Sequence, residues 1–225
     1  MSAGRRVSPH AFDPVGVARH EADAWVAYYR HEWVRLLAVS LRLVAAAFGM
    51  APRRTVAGAW HLLRGFQQWS PCPDNDPEGA RRSMERFYAL VARTAGLPLD
   101  PARAAWLEVE WWRVHRERQH DGPDADQELE RALADLYAYA YDVPADAMLE
   151  AARWRVRAMD LSDRWVSAGR CRDDPLLGRV YRALVRSHTA LLHAVARRGS
   201  VRPQTPCAAA DVHPPAVAAV SPTPP

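Results

Sequence analysis

The sequence predicts an all-α domain, a bundle of about seven helices followed by a disordered Pro/Ala-rich tail. Three observations carry that expectation. Asp-Pro pairs stand at 13–14, 76–77, 100–101 and 174–175, each at the head of a segment with helical periodicity. An Asp can cap the free N–H groups of a first turn, and Pro at the first helical position loses no hydrogen bond there. Apolar residues then recur every three or four positions, and no convincing alternation of strand type occurs.

The first helix is expected from Pro14 to about Gly49, ahead of Ala51-Pro52. It carries a repeated Arg-His-Glu, at 19–21 and 30–32, with Trp25 and Tyr28 between the two glutamates. Its later part, Val34 to Met50, is apolar nearly all round apart from Arg35, Ser40 and Arg42. That run is too short and too charged to span a membrane comfortably, so it reads as a central buried helix. The second helix, Pro52 to Trp69, sets Val56, Trp60, Leu63 and Phe66 on one face and Arg53, His61, Arg64 and Gln68 opposite. A turn-rich stretch from Ser70 to Asp76 leads into the third, Pro77 to about Thr94, which Gly96 ends. The fourth runs from Pro101 to the Asp121-Gly122-Pro123 break, and the fifth from Asp126 to Tyr141. The sixth extends from Pro144 to Gly169 and the seventh from Pro175 to Arg198.

These limits divide the chain into a flexible N-terminus (1–12), a helical domain (13–198) and a tail (199–225). The tail is mostly Pro, Ala, Val, Thr and Ser, and buries too little apolar surface to offset the entropy of ordering. The domain itself is large enough to hold a real core.

Composition restricts function only loosely. All thirty basic residues are arginine, and neither Lys nor Ile occurs. That pattern points to a high-GC genome before it points to phosphate chemistry. Cys72, Cys171 and Cys207 are few and far apart, with neither zinc-site nor disulfide spacing, so a reducing cytoplasm is expected. No apolar run follows Arg5-Arg6, so no signal peptide is read there.

The stretch from Trp106 to His120 is the densest in chemistry, with three tryptophans, three glutamates and two histidines. On it, Glu108, Trp112 and His115 share a face. Asp163 breaks the apolar stripe of the sixth helix, and His188 lies between Leu184 and Leu191 of the seventh. Glu108, His115, Asp163 and His188 are therefore the candidate catalytic residues, lining with Trp112 a polar pocket in the bundle interior. The structural alternative pairs Asp163 with an arginine such as Arg155 and leaves His188 a hydrogen-bonded core residue. The tryptophans then simply fill volume between helices.

Metal chemistry finds little support. Glu108 and His115 lie about 10 Å apart along the axis, and Glu21 and Glu32 about 16 Å, too far to share one ion. Glu117 and His120 form the only Glu-x-x-His, at a helix end and without a second copy. No metal site is assigned, and no motif requires a cofactor. Gly-rich phosphate loops, nucleophile elbows and His-Glu-x-x-His are all missing.

Charge is distributed unevenly. Between Arg30 and Trp69 six arginines face Glu32 alone, whereas Glu117 to Glu150 is acid-rich. The basic stretch also holds Trp33, Phe48, Trp60, Phe66 and Trp69. Basic helices carrying aromatics dock acidic partners or lie on anionic membrane. The first expectation is therefore a non-catalytic interaction module, peripheral at a membrane or docked on an acidic protein through Arg35, Arg42, Arg53, Arg54, Trp60 and Arg64. Its structural alternative is that the basic helices pack on the acidic fifth helix. Nucleic acid is disfavoured because no recognition helix collects the charge; homo-oligomerisation stays open. The second functional expectation is an enzyme, or a bundle binding a small ligand or metal at the Glu/His/Asp site.

Overall fold

The computed structural model describes residues 7–121 and 126–200, apart from the side chains at 120, 121, 199 and 200. Those residues form eight helices: α1 (Pro14–Tyr29), α2 (Trp33–Phe48), α3 (Pro52–Trp69), α4 (Pro77–Ala95), α5 (Pro101–Asp121), α6 (Asp126–Tyr141), α7 (Ala145–Ser167) and α8 (Pro175–Ser200). All four Asp-Pro pairs open helices. Asp13 accepts from Val15 and Gly16 N–H, Asp76 from Gly79, Asp100 from Ala102 and Asp174 from Leu176. Gly96 caps α4 at φ 64°, the left-handed conformation that glycine adopts without steric penalty. The tail beyond 200, expected to be disordered, lies outside the described residues.

The count is eight rather than seven because the expected first helix is two. After Tyr29 the chain turns through His31 at φ 56°, where Glu32 N–H bonds back to the Ala27 carbonyl and the His31 ring stacks on Trp33. Neither Gly nor Pro marks this break. The left-handed turn is made by a histidine, one of the few side chains that tolerates it.

The architecture is a closed ring. Each helix packs against its neighbours in sequence, and α8 returns to pack against α1. Short connections make successive helices antiparallel. Residues 7–12, expected to be flexible, fold as a turn against the other end. Pro9 is buried, the Phe12 ring meets His188 edge-on at 5.7 Å, and Val7 lies over Gly49. Gly49 has φ 59°, and a Cβ there would stand 2.2 Å from the Val7 carbonyl oxygen. Only glycine permits that approach.

The inward face of α3 differs from the expectation. Thr55, Gly58, Ala59, Leu62, Leu63, Gly65 and Trp69 are buried, while Val56 and Trp60 are 57% and 50% exposed. Small residues face inward because α3 approaches its neighbours closely. A Cβ on Gly65 would already touch the Met84 sulfur at 3.2 Å. Bulky Val56 and Trp60 are left outside. Among the described residues no helix is long and apolar enough to cross a membrane.

Candidate functional site

The expected polar residues do not converge; the structure distributes them over three places. His188 Nε2 lies 2.7 Å from Glu21 Oε2, and Arg155 Nη2 lies 2.5 Å from Glu21 Oε1. This group joins α1, α7 and α8 inside the ring, with the Arg155 guanidinium 5.6 Å from the Trp25 ring and 5.4 Å from Trp111. Burial alone would raise the Glu21 carboxyl. The Arg155 charge and the His188 hydrogen bond outweigh it and hold Glu21 at about 2.

Glu108 lies elsewhere, beside a cavity of about 150 Å³ that Arg155, Tyr137, Tyr141 and Pro9 also line. Tyr88 Oη donates to it at 2.7 Å and Trp112 Nε1 at 3.2 Å. Burial nevertheless dominates and pushes the Glu108 carboxyl up, against the hydrogen bond from Tyr88 and the Arg155 charge. Glu21 and Glu108 are thus driven in opposite directions by their surroundings.

His115 and Asp163 form the third group, Nε2 to Oδ2 at 3.2 Å, and Gln119 donates to Asp163 at 2.7 Å. The structural alternative paired Asp163 with an arginine such as Arg155. Its partners are His115, Gln119 and, at 3.9 Å, Arg118, while Arg155, eight positions earlier on α7, pairs with Glu21. Glu117 is an exposed residue paired with Arg113, and the side chain of His120 lies outside the described residues. No group of three His, Cys, Asp or Glu able to hold a metal occurs among the described residues.

His115 faces the feature that sequence reading missed. A cavity of about 350 Å³ opens at the C-terminal ends of α1, α3, α5 and α7. Seven rings line it: Trp25, Tyr28 and Tyr29 from α1, Phe66 and Trp69 from α3, and Trp111 and Trp112 from α5. Four of the nine tryptophans are therefore collected in one place. The polar groups are few: His115, Arg116 and Gln119 on one turn of α5, with His31, Ser70, Cys72 and Arg170 also lining it. Arg116 lies over the Trp69 ring at 4.3 Å and donates to the Trp69 carbonyl at 2.6 Å. Burial raises the phenols of Tyr28 and Tyr29, with Asp163 adding to the effect on Tyr29.

No protein family, no curated protein and no solved structure matches this chain.

A ring-lined cleft with a few placed polar groups has the usual make-up of a small-molecule site. The signal for it was present but scattered. Tyr28-Tyr29 and Phe66 with Trp69 lie at the C-terminal ends of their helices and Trp111-Trp112 at the middle of α5, and only ring closure brings them together. A larger groove of about 620 Å³ lies at the opposite end, around His10, Asp135, Tyr139 and Arg198. It contains none of the residues singled out in the sequence.

The arginines of the 30–69 stretch are on the surface. Arg35, Arg42, Arg53, Arg54 and Arg64 are exposed, and so is Trp60. The other aromatics of that stretch face inward wholly or in part, Trp69 most fully at 8% exposure. The acidic helix α6 packs against α5 and α7, with no comparable contact to α2 or α3.

Proposed function

We propose that this protein binds a small, flat organic molecule in the aromatic cavity at the C-terminal ends of α1, α3, α5 and α7. The observation that carries this reading is the convergence of seven rings from three helices on one open space of about 350 Å³. A core whose rings served only to fill volume would close over that space, since interiors pack to the density of organic crystals. Flat ligands gain most from such walls, through stacked and edge-on ring contacts. The His115–Asp163 pair supplies a polar group of fixed orientation at one side.

A titration with naphthalene carboxamide, followed by tryptophan fluorescence, tests this. Saturable binding of one equivalent is expected. Phe66→Ala should weaken it about tenfold, and Trp106→Ala, at an exposed ring outside the cavity, should leave it unchanged. Non-saturating binding that ignores Phe66→Ala would remove the reading.

A second reading has its own observation. Arg53, Val56, Trp60 and Arg64 form an exposed stripe on α3, and Arg35 and Arg42 are exposed on α2. Packing of α6 on α5 and α7 leaves this charge without an internal acidic helix to neutralise it. An anionic membrane surface suits such a stripe, with Trp60 at the interface and the arginines on lipid headgroups. Flotation with vesicles rich in anionic lipid should carry the wild type upward and leave Arg53→Glu/Arg64→Glu behind. Equal flotation of both proteins, or of neither, would dismiss it. Binding of the wild type to an acidic protein instead would move the same stripe to a protein partner.

A further inference from the structure

We infer that the ligand of the aromatic cavity is an aromatic carboxylate, seated with its ring system among the tryptophans and its charge at the rim beside Arg116 and Arg170. This inference rests on the cavity reading above and adds the chemical class. No carboxylate side chain lines the cavity, whereas two arginines do. Among the described residues neither arginine has an acidic partner. Arg30, Arg113, Arg118, Arg131, Arg153 and Arg172, by contrast, are all ion-paired. The acid that meets the lining His115 is Asp163. It is engaged by His115 and Gln119, with Arg118 beside it. The rim is therefore net positive, which opposes an organic cation and favours an anion.

Two further features narrow the class. The walls are rings, with Met159 and Ala24 the only aliphatic side chains, so a flat π-system fits them better than an alkyl chain. The rim is built from helix C-termini: Tyr29 ends α1, Trp69 ends α3 and Gln119 lies in the last turn of α5. Such ends carry partial negative charge, the opposite of the helix N-termini that hold phosphates. Arg116 and Arg30 already satisfy the Trp69 and Arg170 carbonyls. A planar carboxylate suits the guanidinium groups through paired hydrogen bonds, and the partial negative charge of the helix ends disfavours the second charge of a phosphate.

The test uses four naphthalenes of one shape: the carboxylate, the neutral carboxamide, the methylammonium and the phosphate. With the full chain at low salt, the carboxylate is expected to bind about tenfold more tightly than the carboxamide. Arg170→Gln should reduce that preference several-fold. Arg170 is exposed, so this variant leaves the core intact. Arg116→Gln should abolish the preference. Equal affinity for carboxylate and carboxamide would overturn the charge assignment and leave the cavity reading standing. Preference for the methylammonium or the phosphate would overturn it as well. If none of the four binds saturably, both fall together.

Discussion

Arg155→Met is expected to destabilise the fold by about 3–5 kcal/mol, because it leaves a carboxylate buried without its cationic partner. Glu21 is 7% exposed and is held between Arg155 and His188. Removing the guanidinium leaves only the imidazole to offset the loss of hydration. Replacing both partners, as Glu21→Leu/Arg155→Met, should recover much of the loss, since buried pairs are often dispensable when removed together. Urea unfolding of the two singles and the double measures the coupling. A single Arg155→Met variant within 1 kcal/mol of wild type would show that the pair does not support the ring.

The same pair sets an acid limit. Glu21 titrates at about 2 in the folded chain, below its ordinary value of 4.5. A depressed carboxyl contributes stability that is fully present above the unfolded value and is lost as pH falls through the folded one. The window is therefore about 4.5 down to about 2, and the stability at stake is on the order of 3 kcal/mol. Arg155→Met removes the main charge that depresses Glu21, so acid unfolding of the variant should begin at higher pH.

Trp112→Ala is expected to lose about 3–5 kcal/mol, the usual penalty for truncating a large core ring. Trp112 is 4% exposed and packs against Phe66, Trp69 and Trp111 at centroid distances of 5.4, 5.9 and 6.1 Å. It also lines the cavity while its Nε1 holds Glu108, so this loss should be accompanied by loss of probe binding. Trp112→Phe separates the two roles. A smaller ring stays and the donor goes, the lost hydrogen bond accounting for about 1–3 kcal/mol of the defect and the lost volume adding a packing term that does not depend on pH. Glu108 is raised by burial, so it opposes folding as pH rises from the unfolded carboxyl value through the folded one. Losing a donor to its charged form worsens this. The defect of Trp112→Phe should therefore be larger at pH 7 than at pH 4, when measured by thermal unfolding. An equal defect at both pH values would mean that Glu108 does not depend on that hydrogen bond.

Much of the helical framework could be read directly. Asp13, Asp76, Asp100 and Asp174 each mark a helix start because capping is a contact between residues two or three apart, and Gly96 marks an end for the same local reason. The break at His31 was not legible. A left-handed histidine is uncommon, and what fixes it here is the packing of α2 against α1, together with the Trp33 stack. Glu21 was legible in principle, since it follows Val17 and precedes Ala24 on the buried stripe of α1. Val56 and Trp60 misled, because hydrophobicity suggests an inward face where close helix approach required small residues.

Local sequence thus determined where helices begin, what caps them and that the domain is all-α. It also showed that Asp163 and His188 interrupt apolar stripes and that Glu108 shares a face with Trp112 and His115. Only the tertiary structure decided which group each of them meets. Glu21 and His188 are 167 positions apart and touch because α8 closes the ring on α1. Asp163 meets His115, 48 positions away, and Arg155 meets Glu21, because the packing of the helices brings those residues together. The aromatic cavity arises in the same way. Ring pairs on three helices become one wall when packing brings them to the same side, a relation that no periodicity within a single helix contains.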